Sequence, residues 1–114
     1  MMLKRGTLKR RRKEPTALER RHMTRVAALG CLVSGGPATL HHVTSTVDGG
    51  RITRSHQLVV PLAPEYHLIQ FGPRWSVEAL GHRGFFQEWG VDLHAEATRL
   101  WDETLEIEQR RDAA

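Results

Sequence analysis

Histidine is the residue type in this sequence whose number and positions could support chemistry. The chain has seven histidines among its 114 residues, and four of them, His41, His42, His56 and His67, lie in its central part. An imidazole titrates near neutral pH, so it can act as a general base, and its neutral nitrogen is a common metal ligand. These histidines therefore indicate where a catalytic or metal-binding site would lie if the fold brings them together.

Phosphodiester hydrolysis is a reaction that these residue types could carry out, because it needs a base to activate water and a cation to stabilise the developing charge. His41 and His42 are adjacent, so on a strand their side chains would point to opposite faces. His67 would lie on the next helix, from which it could share one divalent ion with His41. Arg51 and Arg54 could hold the flanking phosphates. The same spacing also suits ordinary hydrogen-bonded or surface histidines.

Two short strands and the helix after them would have to position these histidines. The second strand is rich in β-branched residues, and Asp48-Gly49-Gly50 breaks the chain before it. Pro64 suits the first turn of the following helix. In chain order, we predict a strand over 39–44, an exposed loop over 51–56, a strand over 57–62 and a helix over 65–70.

Helices flank this centre in the sequence. Thr16-Ala-Leu-Glu19 is a capping box that begins a helix, and Gly30 can end it. Ser76 can cap a helix that closes at Gly90, and Asp92 can cap a last helix whose apolar residues recur with a period near 3.6. The predicted fold class is therefore α+β, with a very small two-stranded sheet flanked by helices.

Positive charge is concentrated at the start of the chain. Residues 1–25 hold ten lysines and arginines against two glutamates, a balance of +8, whereas the whole chain carries +4, so the remainder carries −4. A basic arm on a mildly acidic body is typical of a protein that binds nucleic acid, since neutralising phosphates releases counterions. A solvated tail, or one that meets an acidic protein partner, would have the same composition. The candidate phosphate contacts of the arm are Lys9, Arg10, Arg11, Arg12 and Lys13.

Length and composition limit the class of protein. We predict a disordered basic arm over residues 1–14, because it has almost nothing to bury, and a single domain over 15–111. No apolar run approaches the roughly 18 residues that a membrane span needs, and no apolar stretch follows the charged start of the chain as in a secretory signal. Cys31 is the one cysteine, which excludes an internal disulfide and favours a reducing cytoplasm.

Four segments of the sequence carry a resemblance to a known family. They are 21–35, which includes His22 and Cys31; 40–43, Leu-His-His-Val; 54–67, which runs from Arg-Ser-His to Glu-Tyr-His; and 79–92, which runs from Ala-Leu-Gly to Gly-Val-Asp. In their order and spacing they resemble the phage recombination-enhancement (Ref) nucleases, which are HNH-superfamily enzymes that cut DNA in association with RecA filaments. The resemblance implies a small ββα-metal (HNH-like) core, a metal-dependent DNA endonuclease and a location in the cytoplasm of a bacterial host.

The resemblance also implies a role for each central histidine. His41 and His67 would be the metal ligands and His42 the general base, with a divalent ion, Mg²⁺ by expectation, at the two ligands. His56 stands where the family usually has Asp or Asn, so it would orient His42 or touch the metal. Recognition of DNA would be largely independent of sequence, because phosphate contacts position a duplex without specifying its bases.

The sequence departs from the family at a metal knuckle. Where relatives usually have four Cys or His ligands of a structural zinc, this chain has Cys31, Ser34, Ala63 and Tyr66. One thiolate cannot replace a tetrahedral ligand set. We therefore expect no structural zinc, and we expect Ala63 and Tyr66 to fill the space by packing.

Several residues outside the central group have simpler interpretations. Glu78 stands where relatives tend to have His, and it shares a helix face with His82, so either side chain could reach the site. His22, on the apolar side of its helix, is expected to be a hydrogen-bonded core residue, and His94 is expected to be exposed. The residues expected in the core as aromatic packing are Trp75, Trp89 and Trp101.

Two other functions stay open at this point. A catalytically inactive DNA- or RecA-binding accessory protein on the same fold would bind DNA in a salt-sensitive way without cutting it. A protein-interaction module whose basic tail meets an acidic partner would have no DNA affinity at moderate salt. The loss of the zinc knuckle fits a decaying gene as well as selection on the remaining histidines.

Overall fold

The computed structural model describes residues 14–46 and 52–113, and the side chains of 14–43 and 55–113. Its helices and strands, numbered in chain order, are α1 Ala17–Ala28, β1 Thr39–Thr46, β2 Ile52–Leu62, α2 Pro64–His67, α3 Val77–Trp89 and α4 Leu93–Ala113. The two strands form an antiparallel sheet. The predicted α+β class, with a two-stranded sheet and flanking helices, is confirmed.

Helix α1 begins at a capping box, as the sequence predicts. Thr16 Oγ1 accepts a hydrogen bond from Glu19 N at 3.1 Å, and Glu19 Oε1 accepts one from Thr16 N at 3.0 Å. A cap of this kind contributes about 1 kcal/mol, and it determines where the helix starts. His22 and Val26, one turn apart, are the buried residues of α1, so this face of the helix packs against the rest of the domain.

The pairing of β1 with β2 has a bulge beside the two adjacent histidines. The register on either side of it is His41 with Val60, His42 with Val59 and Thr44 with Arg54. Residues 55–58 of β2 therefore lie opposite Val43 alone, and a bulge of this kind bends a strand and re-aims its side chains. The predicted loop over 51–56 is wrong for residues 52–56, which belong to β2, because the bulge lets the two strands resume pairing beyond it.

The core lies between the hairpin and the helices packed on it. Val59 and Val60 are adjacent on β2, yet both are fully buried, so both faces of that strand are covered. Burying a side chain of this kind stabilises the fold by about 1.5–3 kcal/mol. The buried core residues are Val26, Cys31, Val43, Val59, Val60, Leu62, Ala63, Val77, Phe85, Leu93, Ala97 and Leu100.

His22 is buried where α1, β2 and α4 meet. Its Nε2 lies 2.9 Å from Gln57 O and its Nδ1 lies 2.6 Å from Thr104 Oγ1. A carbonyl can only accept, so the bonding pattern assigns the ring proton to Nε2 and makes Nδ1 the acceptor of the Thr104 hydroxyl. Burial lowers the pKa of His22 below its ordinary value, which favours this neutral form. The interpretation of His22 as a hydrogen-bonded core residue is confirmed.

Two arginines connect α1 to α4. Arg21 forms a bidentate pair with Glu108, with distances of 2.8 and 2.9 Å. Arg25 donates to Leu100 O at 2.8 Å and to Thr104 Oγ1 at 3.0 Å. Both guanidiniums therefore serve packing inside the domain, although the sequence places them in the basic arm.

Helix α2 is shorter than the predicted span of 65–70. It ends at His67, because the backbone of Leu68 is extended, with φ −113° and ψ 138°. The chain then turns back, and Leu68 O accepts a hydrogen bond from Gly72 N at 2.9 Å. A Cβ on Gly72 would clash with Glu65 O, so a glycine is needed where the chain returns past α2. The turn therefore leaves His67 at the C-terminal end of a four-residue helix.

Helix α3 contains a break that the sequence does not predict. Its predicted ends are confirmed, since Ser76 Oγ accepts from Ala79 N at 3.2 Å and Gly90 has a left-handed φ of 72°. Between them, Gly81 has φ 75° and ψ 170°, a conformation essentially confined to glycine. The helix is therefore kinked immediately before His82.

Helix α4 begins as predicted, at the side chain of Asp92, whose Oδ1 accepts a hydrogen bond from Ala95 N at 3.1 Å. His94 in its first turn is exposed, which confirms that expectation. Although α4 has 21 residues, neither it nor any other helix in the described part is long and apolar enough to cross a membrane.

The three tryptophans differ in burial. Trp75 is 39% exposed, so the prediction that it lies in the core is wrong. It follows the turn after Gly72, and its backbone carbonyl accepts a hydrogen bond from Trp89 Nε1 at 3.1 Å. Trp89 packs against the core, and Trp101 is partly buried, with its ring edge-to-face to His22 at 4.9 Å. Only the first of the three presents a large aromatic surface to solvent.

Candidate active site

His41, His67 and His82 converge from three different elements. His41 lies on β1, His67 is the last residue of α2, and His82 follows the kink in α3. The ring centroid of His41 is 5.0 Å from that of His67 and 5.3 Å from that of His82, and both pairs are edge-to-face. His41 Nε2 lies 3.1 Å from His82 Nε2. The structure thus brings together the two predicted metal ligands and adds a third imidazole to them.

Thr39 determines the tautomer of His67. Its hydroxyl donates to Leu62 O at 2.9 Å, and Oγ1 lies 3.0 Å from His67 Nδ1. A hydroxyl has one proton to donate, so Oγ1 accepts a hydrogen bond from Nδ1–H of His67. This pattern assigns the proton of the neutral ring to Nδ1 and the lone pair to Nε2. Metal-binding histidines usually have their second nitrogen held in this way.

Burial favours the neutral form of two of the three rings. It is the largest effect on His67 and lowers the pKa of that ring, while the carboxylate of Glu78 raises the same pKa by a smaller amount. Burial also lowers the pKa of His82; His94 lowers it further, and Asp92 raises it. A neutral imidazole has a lone pair, so both rings are in the form that a cation requires.

His42 belongs to a second pair of histidines, with His56. His42 Nε2 lies 3.3 Å from His56 Nδ1, and the ring centroids are 5.4 Å apart at 77°. His56 is in the bulged segment of β2, opposite Val43. The adjacent His41 and His42 therefore contact different histidines, as the alternation of side chains along a strand predicts. The predicted base and the residue predicted to orient it are in contact.

A cleft of about 350 Å³ opens beside the His41–His82 pair and is lined by His41, Val77, Glu78, Gly81 and His82. Glu78 Oε1 accepts a hydrogen bond from Ile69 N at 2.9 Å, so this carboxylate holds the chain that follows α2. Of the two residues that the sequence offers as additional site groups, His82 contacts His41 directly, whereas Glu78 lines the cleft. The cleft gives a small polar group access to the imidazoles.

The donor set fits a divalent metal ion in its chemistry. Among the side chains that the structure describes, no three His, Cys, Asp or Glu residues are already placed as ligands around one point. His41 and His82 instead face each other through their Nε2 atoms at 3.1 Å. Two nitrogens bound at about 2.1 Å to one tetrahedral ion would lie roughly 3.4 Å apart, which is close to this separation. With His67, three imidazoles belong to one cluster, and Nε2 of His67 carries the lone pair that its contact with Thr39 assigns to it.

The other predicted site residues are basic. Lys9, Arg10, Arg11, Arg12, Lys13 and Arg51 lie outside the described residues, as does the predicted disordered arm apart from Glu14. Arg54 is on β2, paired with Thr44, and its side chain is also outside the described part. The predicted phosphate contacts therefore stay predictions.

Three of the four positions at which the resembled family has zinc ligands are occupied by packed side chains, and the fourth, Ser34, is exposed. Cys31 and Ala63 are buried, and Cys31 Sγ accepts a hydrogen bond from Ser34 N at 3.4 Å. Tyr66 packs against the core, and its ring meets that of Trp89 edge-to-face at 5.2 Å. The predicted packing of Ala63 and Tyr66 is confirmed, and it anchors the segment that presents His67.

Comparison of the chain with protein-family models, with curated proteins and with solved structures gives no match. The function is therefore inferred from the chemistry and geometry of the side chains themselves. His82 is the residue that the sequence places least clearly, because it lies in another helix, beyond the turn at Gly72. Gly81 is the signal in the sequence that could have indicated His82 as a site residue, since a glycine inside a helical pattern often marks a special backbone conformation.

Proposed function

We propose that this protein is a metal-dependent DNA endonuclease of the HNH type, which hydrolyses phosphodiester bonds. The observation that carries the proposal is the convergence of His41 from the hairpin with His67 from the helix after it. The resemblance to the Ref nucleases implies this juxtaposition. It supports binding of a cation by His41 and His67, with His42, the next residue of β1, as the group that would accept a proton.

His41 and His67 would hold the divalent ion. Thr39 keeps the lone pair of His67 on Nε2, so that nitrogen needs no deprotonation before it coordinates. When bound, a divalent ion supplies charge stabilisation for the phosphate and its leaving oxygen. The cleft beside His41 provides the approach for the phosphate.

His42 would accept the proton of the attacking water. The contact between His42 Nε2 and His56 Nδ1 would hold the ring of His42 in position for this step. The resulting imidazolium strengthens the existing 3.3 Å contact with His56, because a charged donor makes a stronger hydrogen bond. His56 thus takes the positioning role of the Asp or Asn usual in the family.

The substrate would be held mainly through its phosphates. The balance of +8 over residues 1–25 supports salt-sensitive DNA binding that is largely independent of sequence. Arg51, between the two strands in the sequence, and Arg54, on β2, would add phosphate contacts. The resemblance to the Ref nucleases supports a role in phage or prophage recombination, with RecA-coated DNA as the substrate in the bacterial cytoplasm.

A pair of histidine variants tests this proposal. His42→Ala should abolish ion-dependent plasmid nicking while leaving DNA affinity nearly unchanged, because His42 acts on the water and not on the phosphates. Gln87→Ala, which changes an exposed side chain on α3, is the control and should nick like the wild type. Equal nicking by His42→Ala would contradict the proposed base.

The same assay separates the two alternative functions. DNA binding without cleavage in Mg²⁺, Mn²⁺ or Zn²⁺ would indicate an inactive DNA- or RecA-binding accessory protein. No DNA affinity at moderate salt would indicate a module whose basic segment meets an acidic protein partner. Either result would overturn the proposed nuclease activity.

A further inference from the structure

His82 contacts the ring of a predicted metal ligand, although the resemblance assigns it no role. It reaches His41 from α3, while His67 reaches His41 from α2. We propose that His82 is a third metal ligand and that His41, His67 and His82 form a three-imidazole site for a transition-metal ion of the Zn²⁺ class, in preference to Mg²⁺. The proposal rests on the proposed function only for the first two ligands.

The contact between His41 and His82 has the geometry of two ligands of one ion. Their Nε2 atoms are 3.1 Å apart, and without an ion one of them must donate a proton to the other. Placing an ion between them requires a tautomer change in one ring and a separation larger by roughly 0.3 Å, given nitrogen–zinc distances of about 2.1 Å. The pair is therefore nearly preorganised for a cation.

The third ring is prepared independently of the other two. The hydroxyl of Thr39 holds His67 Nδ1–H, so Nε2 of His67 carries the lone pair, and the centroid of the ring is 5.0 Å from that of His41. Catalytic zinc sites commonly have three protein ligands and an open fourth position. The cleft of about 350 Å³ beside His41 and His82 leaves space for that fourth position.

The chemical nature of the donors determines which ion they select. Mg²⁺ prefers oxygen ligands in octahedral geometry, whereas imidazole suits Zn²⁺, Ni²⁺, Cu²⁺ and iron. The carboxylate that lines the cleft, Glu78, has one oxygen committed to Ile69 N. Three nitrogens with one partly committed carboxylate nearby therefore favour a transition metal over Mg²⁺.

Metal titration of the full chain tests this proposal without measuring nuclease activity. Co²⁺ is added to metal-free protein, its visible absorption reports coordination, and Zn²⁺ and Mg²⁺ are added as competitors. We expect one Co²⁺ per chain, displacement by Zn²⁺ and no displacement by millimolar Mg²⁺. His82→Gln, which keeps a polar side chain of similar size, should weaken Co²⁺ binding at least about tenfold and change its spectrum, while Gln87→Ala, at an exposed position of α3, should match the wild type.

The outcomes separate this proposal from the proposed function. If His41→Gln and His67→Gln lose Co²⁺ but a folded His82→Gln binds it like the wild type, His82 is not a ligand and the nuclease proposal is unaffected. Displacement of Co²⁺ by Mg²⁺ at comparable concentration would overturn the metal class. Binding that needs all three histidines, in a protein that cuts no DNA, would support the three-imidazole site and overturn the nuclease. Circular dichroism of each variant identifies any that has not folded. If His82→Gln is among them, alkylation of the wild type is compared with and without Co²⁺, and the extent of modification is measured at His82. Protection of His82 by Co²⁺ would support it as a ligand, and unchanged modification would overturn it.

Discussion

The hydroxyl of Thr39 lies between Leu62 O and His67 Nδ1, at 2.9 and 3.0 Å, and it thereby determines which nitrogen of His67 is free. The relationship links strand pairing to chemistry, because Thr39 and Leu62 are also paired residues at the end of the hairpin. A change in strand register would therefore release the ring as well. The hairpin both carries His41 and sets the tautomer of the histidine that faces it.

Replacing Thr39 by Val should weaken metal binding about 10–100-fold, which is the usual effect of removing a group that orients a histidine ligand. Valine keeps the branched shape, so the strand should stay paired. Thr39→Ser retains the hydroxyl and should bind like the wild type. Calorimetric titration of the three proteins with Zn²⁺ measures the difference; equal affinities in Thr39→Val and Thr39→Ser would show that the tautomer of His67 is not set by Thr39.

Acid should destabilise the fold through His22. Its pKa is lowered in the folded state by burial, so the unfolded chain takes up a proton first, near pH 6.5, and stability is lost as the pH falls below that value. Protonation would also place two donors, His22 Nδ1–H and Arg25 Nε–H, on the oxygen of Thr104.

Urea unfolding at about pH 7.5 and pH 5.5 measures this effect. The loss of unfolding free energy should be smaller in His22→Gln than in the wild type, because the partly buried histidines contribute equally to both proteins. The same loss in both proteins would assign the acid sensitivity to other groups.

Two arginines of α1, Arg20 and Arg25, should have different effects on stability and on DNA binding when they are replaced. Arg25 donates to Leu100 O and Thr104 Oγ1 of α4, so Arg25→Gln should lower the free energy of unfolding by about 1–3 kcal/mol. Arg20 is exposed, so Arg20→Gln should leave stability nearly unchanged and reduce the salt dependence of DNA binding by about one counterion. Chemical denaturation measures the predicted effects on stability, and a salt titration of DNA affinity measures the predicted effect on DNA binding. A large stability loss in Arg20→Gln would contradict this division.

Two glycines of α3 provide a matched pair for the kink. Gly81→Ala should weaken metal binding, because alanine disfavours φ 75° with ψ 170° by about 1–3 kcal/mol and His82 follows directly. Among the residues that the structure describes, no heavy atom lies within 4 Å of the Cβ that would be added at Gly81 or at Gly90, so backbone conformation, and not crowding, decides both effects. Gly90→Ala should cost about 1 kcal/mol of stability without changing metal affinity. Metal titration and thermal unfolding of both variants measure these effects. Metal affinity in Gly81→Ala equal to that in Gly90→Ala would show that the kink does not position His82.

Local signals in the sequence predicted the ends of the long helices well. The side chains of Thr16, Ser76 and Asp92 cap the backbone within three residues of themselves, so their effect is readable from a short window. The strand over 57–62 was also predicted from a short window, because its β-branched residues are next to each other in the sequence. Those residues, Val59 and Val60, are fully buried in the structure.

Features that depend on distant residues were not predictable in this way. The bulge that places His56 near His42 results from how β1 and β2 pair, and neither segment shows it alone. The end of α2 at His67 depends on the return of Gly72 past Glu65. The position of His82 depends on how α3 packs beside the hairpin, so only the three-dimensional structure relates it to His41.

Nicking of supercoiled plasmid by the metal-free full chain, before and after addition of single divalent ions, tests the central claim most directly. The proposed site predicts open circles on addition of an ion such as Zn²⁺, Ni²⁺ or Mn²⁺, reversal of the activity by a chelator, and loss of nicking in His67→Ala. Intact plasmid with every ion, at protein concentrations that bind all the DNA, would contradict a metal-dependent nuclease built on these histidines.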